Sequence, residues 1–464
     1  MSREPEAPAE LPFRLLVIYA LPSITLAFLF VPLVTLLPNF YADALGMSLA
    51  SIGGILLVSR AADFVLDPLI GKLSDITRTR WGRRKPWMIA GTPVLMLGAA
   101  LLLMPVDLGI SPELYLLIAS FVIYLGGSML GLAYSAWGAE VVSSYHGRSR
   151  VAGMREITGL LGILITAAVP AVTAMFGHPL DRFTMAVLGW MIIIFAPLSV
   201  WAATRYVPEP PAVETARINW ARQLASLWAN RPFRVLCGAF FIFGFGSSIA
   251  TATLVFYIVH YLKQPEVVSP VLLGSFVPVL VFVPVWLAIS RRIGKHRAAG
   301  ISLLLAITLN AGVTLWLQPG DGWIFVGIMA LMGAASAGFL TLPLGMMGDV
   351  IDYDSLKTGT ARGGLYFGIW SFAQKVSPAL AIGVALPLLA WLGFDPASKT
   401  NEGGIDALRY VFVLGSTPFF AIAALLLLIF PIDARRHGII RRRLDARAAR
   451  LARLAPNESV GVVV

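Results

Sequence analysis

About twelve runs of apolar residues follow one another along the chain, each close to the ~20 residues that a helix needs to cross a hydrocarbon core of roughly 30 Å. No single soluble core can bury so many. The runs fall near 15–37, 52–73, 87–104, 114–137, 157–176 and 183–203 in the first half, and 235–261, 271–289, 300–317, 323–347, 366–392 and 410–430 in the second. The chain is 58% hydrophobic and only 13% charged, so lipid is the solvent its surface suits. The expected fold class is an all-α polytopic membrane protein, with twelve transmembrane helices in two six-helix bundles.

Where the charges sit decides what they mean. The net charge of +11 points to no nucleic-acid partner, because the basic residues gather in short loops between apolar runs instead of forming an interleaved patch. Arg78, Arg80, Arg83, Arg84 and Lys85 follow span two, Arg148 and Arg150 follow span four, and Arg291, Arg292, Lys295 and Arg297 follow span eight. The connections after spans one, three and nine carry Asp43, Asp107 and Asp321 without Arg or Lys. By the positive-inside rule both termini are expected in the cytoplasm, with the chain in the inner (plasma) membrane. The opening MSREPEAPAE is polar and acidic, unlike the basic start of a cleaved signal peptide, and is expected to be retained.

Between spans six and seven the apolar pattern lapses into a Pro-containing stretch with a possible amphipathic helix around 220–228. This divides the chain into a bundle over 1–203, a cytoplasmic loop over 204–234, a second bundle over 235–430 and a basic tail over 431–464. The halves echo one another: WGAEVVSSYHGRSRVAG after span four and MGDVIDYDSLKTGTARGG after span ten both place an acid at a helix end with basic residues beyond. Such a repeat suits two bundles related by an axis along the membrane normal, with substrate between them near the midplane.

Span two breaks its own apolar character with Arg60, Asp63 and Asp67. Residues three and four apart share a helix face, so the three form one polar stripe. Asp63 lies roughly 16 Å along the helix from Ile52, near mid-bilayer. A charge there costs at least ~2.5 kcal/mol, so such residues pair, line a watery cavity or both. Two carboxylates one turn apart repel, and a proton on one or a cation between them relieves the conflict. Either makes a coupling-ion site; the plainer alternative is a static ion-paired stripe held by Arg60. Lys375, alone in span eleven, is a further charge able to reach the pair across the seam. The loop GKLSDITRTRWGRRKP serves as a topology anchor and also suggests a cytoplasmic gate built from Asp75, Arg83 and Arg84, with Asp349 and Asp352 after span ten as partners.

These segments, RAADFVLDPLIGKLSDITRTRWGRRKPW, GDVIDYDSLKTG and RGGLYFGIWSFAQKVSPAL, resemble the glycoside-pentoside-hexuronide cation symporters of the major facilitator superfamily. The resemblance covers nearly the whole chain in layout. It implies the major facilitator fold, cation binding by Asp63 and Asp67 with Lys375 close by, and a sugar site to which Tyr134 and Trp137 in AYSAWGAE and Arg155 in GMREITG contribute. Galactoside carriers of that family place sugar-binding aspartates on helices one and four, whereas SITLAFLF and GLAYSAWG here hold none. Leu66 precedes Asp67 where an amide would help hold sodium, which leaves H+ and Na+ both open. An amphipathic or anionic substrate, such as a lysolipid or sulfosugar, stands beside a glycoside.

The function expected is therefore secondary active symport of a small organic solute by alternating access, by a monomer whose partners are its substrate and the bilayer. A membrane sensor using the Arg-rich tail is the lesser alternative, and no signalling domain accompanies it. No enzyme, cofactor or metal centre is expected beyond a possible Na+ at the aspartates. His146, His178, His260, His296 and His437 are scattered without ligand spacing, and the lone Cys237 has no partner thiol.

Overall fold

The computed structural model describes residues 10–142, 144–178, 180–209, 227–359, 363–396 and 402–454. The twelve spans are α1 (Phe13–Leu45), α2 (Leu49–Ile76), α3 (Lys85–Leu103), α4 (Pro112–Glu140), α5 (Tyr145–Met175), α6 (Arg182–Tyr206), α7 (Arg231–Tyr261), α8 (Val268–Ile293), α9 (Lys295–Trp316), α10 (Gly322–Thr358), α11 (Gly363–Trp391) and α12 (Gly404–Leu428). A thirteenth helix, α13 (Ala434–Leu454), follows. Eleven described helices are long and apolar enough to cross a membrane. The twelfth span, α9, has 22 residues and packs along α10 and α12. The amphipathic helix expected around 220–228 lies mostly outside the described residues.

Two helices outrun their expected ends. Span one continues to Leu45 through a wider π turn at Pro32–Leu36, immediately before Pro38. A proline ring clashes with the carbonyl four residues back in a regular helix, and a local widening relieves the clash without ending the helix. Asp43 therefore belongs to the end of α1 and not to a loop. Span ten runs 37 residues and carries Asp349, Asp352 and Asp354 on helical backbone.

Within the first half α3 packs on α4 and α6, and α1 on α5 and α6; within the second, α8 and α9 pack on α10, and α7 on α11 and α12. The halves meet along α2 with α11, α5 with α8, and the π turn of α1 with α7. One apolar core runs the length of the first half and crosses into the second away from the arginine loops, joining Val34, Leu37 and Phe40 to Phe256, Tyr257 and Leu386. Ser269 on α8 adds a hydrogen bond across the seam, donating to the Ala167 carbonyl at 2.6 Å. The second core, with Phe233, Phe339, Met347 and Trp370, stays inside the second half toward the arginine-loop end. The seam is thus packed shut at the end opposite the arginine loops.

Glycine sets the spacing of the seal. A Cβ at Gly53 would stand 2.8 Å from Pro387 Cδ, and one at Gly383 2.6 Å from Leu57 Cδ2, whereas the neighbouring Gly54 has nothing within 4 Å. Gly53→Val should overpack the crossing of α2 and α11 at a cost of about 1–3 kcal/mol, and Gly54→Val should not. Thermal unfolding of the two variants checks this, and equal shifts would refute the close approach.

Candidate coupling site and the flanking charge clusters

The stripe read from span two is present on α2. The Asp63 side chain is buried, with only 3% of the residue exposed. Arg60 lies one turn before it, its Nη1 3.7 Å from Asp63 Oδ2 and its guanidinium 4.1 Å over the Tyr124 ring of α4. That stack holds the arginine in a low-polarity setting through cation–π attraction. Lys375, from α11 in the other half, forms an ion pair with Asp67. Each aspartate thus has one basic neighbour, yet Oδ1 of Asp63 and Oδ1 of Asp67 are both buried without a hydrogen-bond partner. An unpartnered buried carboxylate oxygen is costly, and a proton or a small cation is the species that would satisfy it. The arrangement fits such an ion: hard anionic oxygens, one helical turn apart.

Near the arginine-loop end of the first half, Arg84 is buried and binds three partners: Asp75 Oδ1 at 2.6 Å, Glu140 Oε1 at 2.8 Å and Ser74 Oγ at 2.9 Å. Arg83 meets the other Glu140 oxygen at 3.0 Å. Gly82, at φ +95°, turns the chain so that the backbone N–H groups of Arg83 and Arg84 both donate to Glu209 Oε1 at 2.8 Å. In the second half Lys295 binds Asp349 at 2.7 Å, while His437 and Arg441 of α13 approach Asp352 at 3.1 and 3.2 Å. The echo between halves has a physical counterpart here: Glu140 at the end of α4 and Asp349 in the last turns of α10 each take a cation from the start of the third helix of their half.

The expected gate residues therefore group differently from the sequence expectation. Arg84 pairs with Asp75 and Glu140, Arg83 with Glu140, and the backbone N–H groups of both arginines with Glu209. Asp349 and Asp352 pair with Lys295, His437 and Arg441 of theirs. Sequence reasoning missed Glu209, which lies in the inter-half connection far from the loop it caps; its only signal was an isolated acid beside prolines.

Of the expected substrate residues, Trp137 is fully buried and its indole N–H donates to the Pro208 carbonyl at 3.3 Å. In this conformation the indole packs at the arginine-loop end, with Lys85 Nζ 5.5 Å from its ring centre. Tyr134 is also fully buried, stacked on Tyr19 at 4.9 Å with Arg155 4.8 Å over its ring. Arg155 is partly exposed and donates to Ser135 Oγ at 3.1 Å, and its Nε is buried without a partner. Tyr134 and Trp137 both pack on Tyr19 of α1, and Arg155 of α5 reaches Tyr134. A separate groove lined by Phe28, Val187, Trp190 and Ile194 is wholly apolar and lies away from these charges.

Residues 18–434 match the family model described as MFS/sugar transport protein. The chain belongs to that family. Its layout and its motifs agree with the resemblance to the glycoside-pentoside-hexuronide symporters. The glucuronide carrier protein homolog of Escherichia coli (strain K12) is 22% identical over 94% of this chain and 96% of its own. The inner membrane symporter YicJ of the same strain is 24% identical over 83% of this chain and 85% of its own. Among solved structures, a D-xylose-proton symporter superposes with a TM-score of 0.63 at 14% identity, covering 91% of this chain and 98% of the other. That likeness shows the major facilitator fold. This family member is a membrane-spanning transporter and not an enzyme.

Burial raises the Glu209 carboxyl above its ordinary value of 4.5, ahead of the two backbone hydrogen bonds that lower it. A raised folded-state pKa means the folded protein binds this proton more tightly than the unfolded chain. The stabilisation from that proton is full below about 4.5 and is lost as pH climbs through the folded value. Glu209→Gln, neutral throughout, should flatten this component of thermal stability between pH 4 and 7 while keeping an oxygen acceptor. Glu209→Ala should lose about 1–3 kcal/mol by stranding two N–H groups.

Proposed function

We propose that this transporter is a cation-coupled symporter in which Asp63 and Asp67 hold the coupling ion and Lys375 reports its presence to the other half. The carrying observation is the pair of unpartnered carboxylate oxygens at Asp63 and Asp67, one of them on an acid already bonded across the seam to Lys375. A static ion-paired stripe would have no reason to leave both oxygens unsatisfied. A cation arriving between the carboxylates competes with the Lys375 ammonium for Asp67. Loss of that ion pair frees one of the ties between α2 and α11, the helices that also form the seal at Gly53 and Gly383. Ion occupancy thereby biases which end of the seam is closed, the requirement for coupled alternating access.

H+ and Na+ both meet this chemistry: a proton satisfies one oxygen by bonding to it, sodium both by bridging. The substrate read from family membership is a sugar or sugar derivative held between the halves. A second reading, an anionic sugar derivative, is favoured by Arg155, whose Nε is buried without a partner, and by the absence of acids in SITLAFLF and GLAYSAWG. Similarity to a glucuronide carrier homolog fits it, since a glucuronide carries a carboxylate. The protein works in this reading as a monomer in the inner membrane, with both termini cytoplasmic and the charge clusters at the helix ends as gate elements within each half.

Purified protein reconstituted in liposomes, offered glycosides, hexuronides, sulfosugars and lysolipids under separately imposed sodium and proton gradients, tests the proposal. Uptake driven by one gradient identifies ion and substrate class together. Asp63→Asn and Asp67→Asn should each abolish accumulation against a gradient while leaving membrane insertion intact. Unchanged concentrative uptake in both variants would falsify the coupling assignment. Arg155→Ala should reduce anionic substrates by tenfold or more relative to neutral ones, through loss of a charge-assisted contact.

A further inference from the structure

The helix α13 carries eight arginines against one acid, Asp445, and the proposed transport mechanism uses only Arg441, through Asp352. One face of α13 is already engaged. His437 and Arg441 reach Asp352, Ile440 is buried in the second core, and Leu444 packs on that core. These positions, spaced three and four apart, fix how the helix is rolled against α10. At 100° per residue, Arg435, Arg442, Arg443 and Arg450 then fall within about 100° of one another on the opposite side. All four are exposed, and Ile439, 40% exposed, lies among them.

The place of this stripe matters as much as its charge. Ala434 follows Leu428, the end of α12, by six positions, so the start of α13 lies within roughly 20 Å of the end of a span. Its docking partners Asp349 and Asp352 closely follow the apolar run LPLGMM of α10. Both constraints hold the helix at the level where the hydrocarbon gives way to headgroups, and on the side where the arginine loops gather. An arginine near an anionic leaflet is attracted by its negative surface potential, and four on one face act together.

We propose that α13 is a two-faced clamp, docked on α10 through His437, Ile440, Arg441 and Leu444 and binding anionic phospholipid headgroups of the adjoining leaflet through Arg435, Arg442, Arg443 and Arg450. The clamp ties the end of α10, and with it the Lys295–Asp349 pair, to the membrane plane. Topology signalling requires positive charge in the segment but not its collection on the face opposite a docked one, and this segregation is what the lipid explains. The inference stands apart from the coupling assignment, and its test needs no substrate.

The full-length protein is placed in nanodiscs of phosphatidylcholine alone or with 30% phosphatidylglycerol, and amide hydrogen exchange is followed across 434–454. Wild type should exchange tenfold or more slowly there when the anionic lipid is present. The variant Arg435→Gln/Arg442→Gln/Arg443→Gln/Arg450→Gln should lose this protection. A charge-matched variant, Arg78→Gln/Arg80→Gln/Arg291→Gln/Arg292→Gln, should keep it. Equal exchange in both lipids, or equal loss in both variants, overturns the proposal. Should the tail variant fail to fold, wild type in 0.5 M salt decides: protection by the anionic lipid must vanish there through screening, and persistence overturns the headgroup contact.

Discussion

Two carboxylates on one apolar helix are the constraint around which the rest of this structure is arranged. Neither Asp63 nor Asp67 can be left charged and solitary inside a hydrocarbon slab, and each has drawn a cation toward it. Arg60 comes from the same helix, one turn away, and is steadied by the Tyr124 ring. Lys375 comes from the other half. The difference is important. A local partner moves with the acid it neutralises, whereas a partner across the seam makes the electrostatics of the site depend on how the halves are disposed. The polar stripe is therefore a joint between the halves.

Around that joint, side-chain size does the sealing and charge does the fastening. Toward the closed end α2 and α11 approach until Gly53 and Gly383 leave no room for a Cβ, and the apolar core passes unbroken from one half into the other. Toward the arginine-loop end each half ties its own helix ends with ion pairs, Arg84 with Asp75 and Glu140 in one and Lys295 with Asp349 in the other. Rigid bundles with a movable seam follow from this division, because charged fasteners at exposed helix ends hold geometry while weakly polar packing along the seam can part and re-form.

Much of this is legible in the sequence, for reasons of scale. A bilayer demands runs of about 20 apolar residues, so the spans stand out, and acids within one of them stand out further. The helical period alone puts Arg60, Asp63 and Asp67 on one face. What stays hidden depends on how helices dock. Nothing local says that Glu209 caps the turn at Gly82, because the two are over 120 residues apart and meet only when α6 delivers the chain beside α3. Nor does anything local say that the Trp137 indole turns to the Pro208 carbonyl, 71 positions further along the chain. The end of α1 is misplaced in the sequence because a proline reads as a stop, while a π turn lets the helix continue.

The repeat between halves sharpens the functional argument through its asymmetry. Glu140 and Asp349 preserve the same fastening in both halves, so the ends of the bundles remain equivalent. The middle does not. The first half supplies both acids and the second only Lys375, leaving no second coupling site related by the pseudo-symmetry in the described residues. The charge of the site therefore bears on one seam contact, α2 against α11, and not on the partner contact of α5 with α8, where Ser269 and Ala167 make a neutral hydrogen bond. A transporter built this way has one charged hinge line and one neutral one. In the proposed mechanism the charged line would sense the ion, and the neutral line could open and close without exposing an unpaired charge.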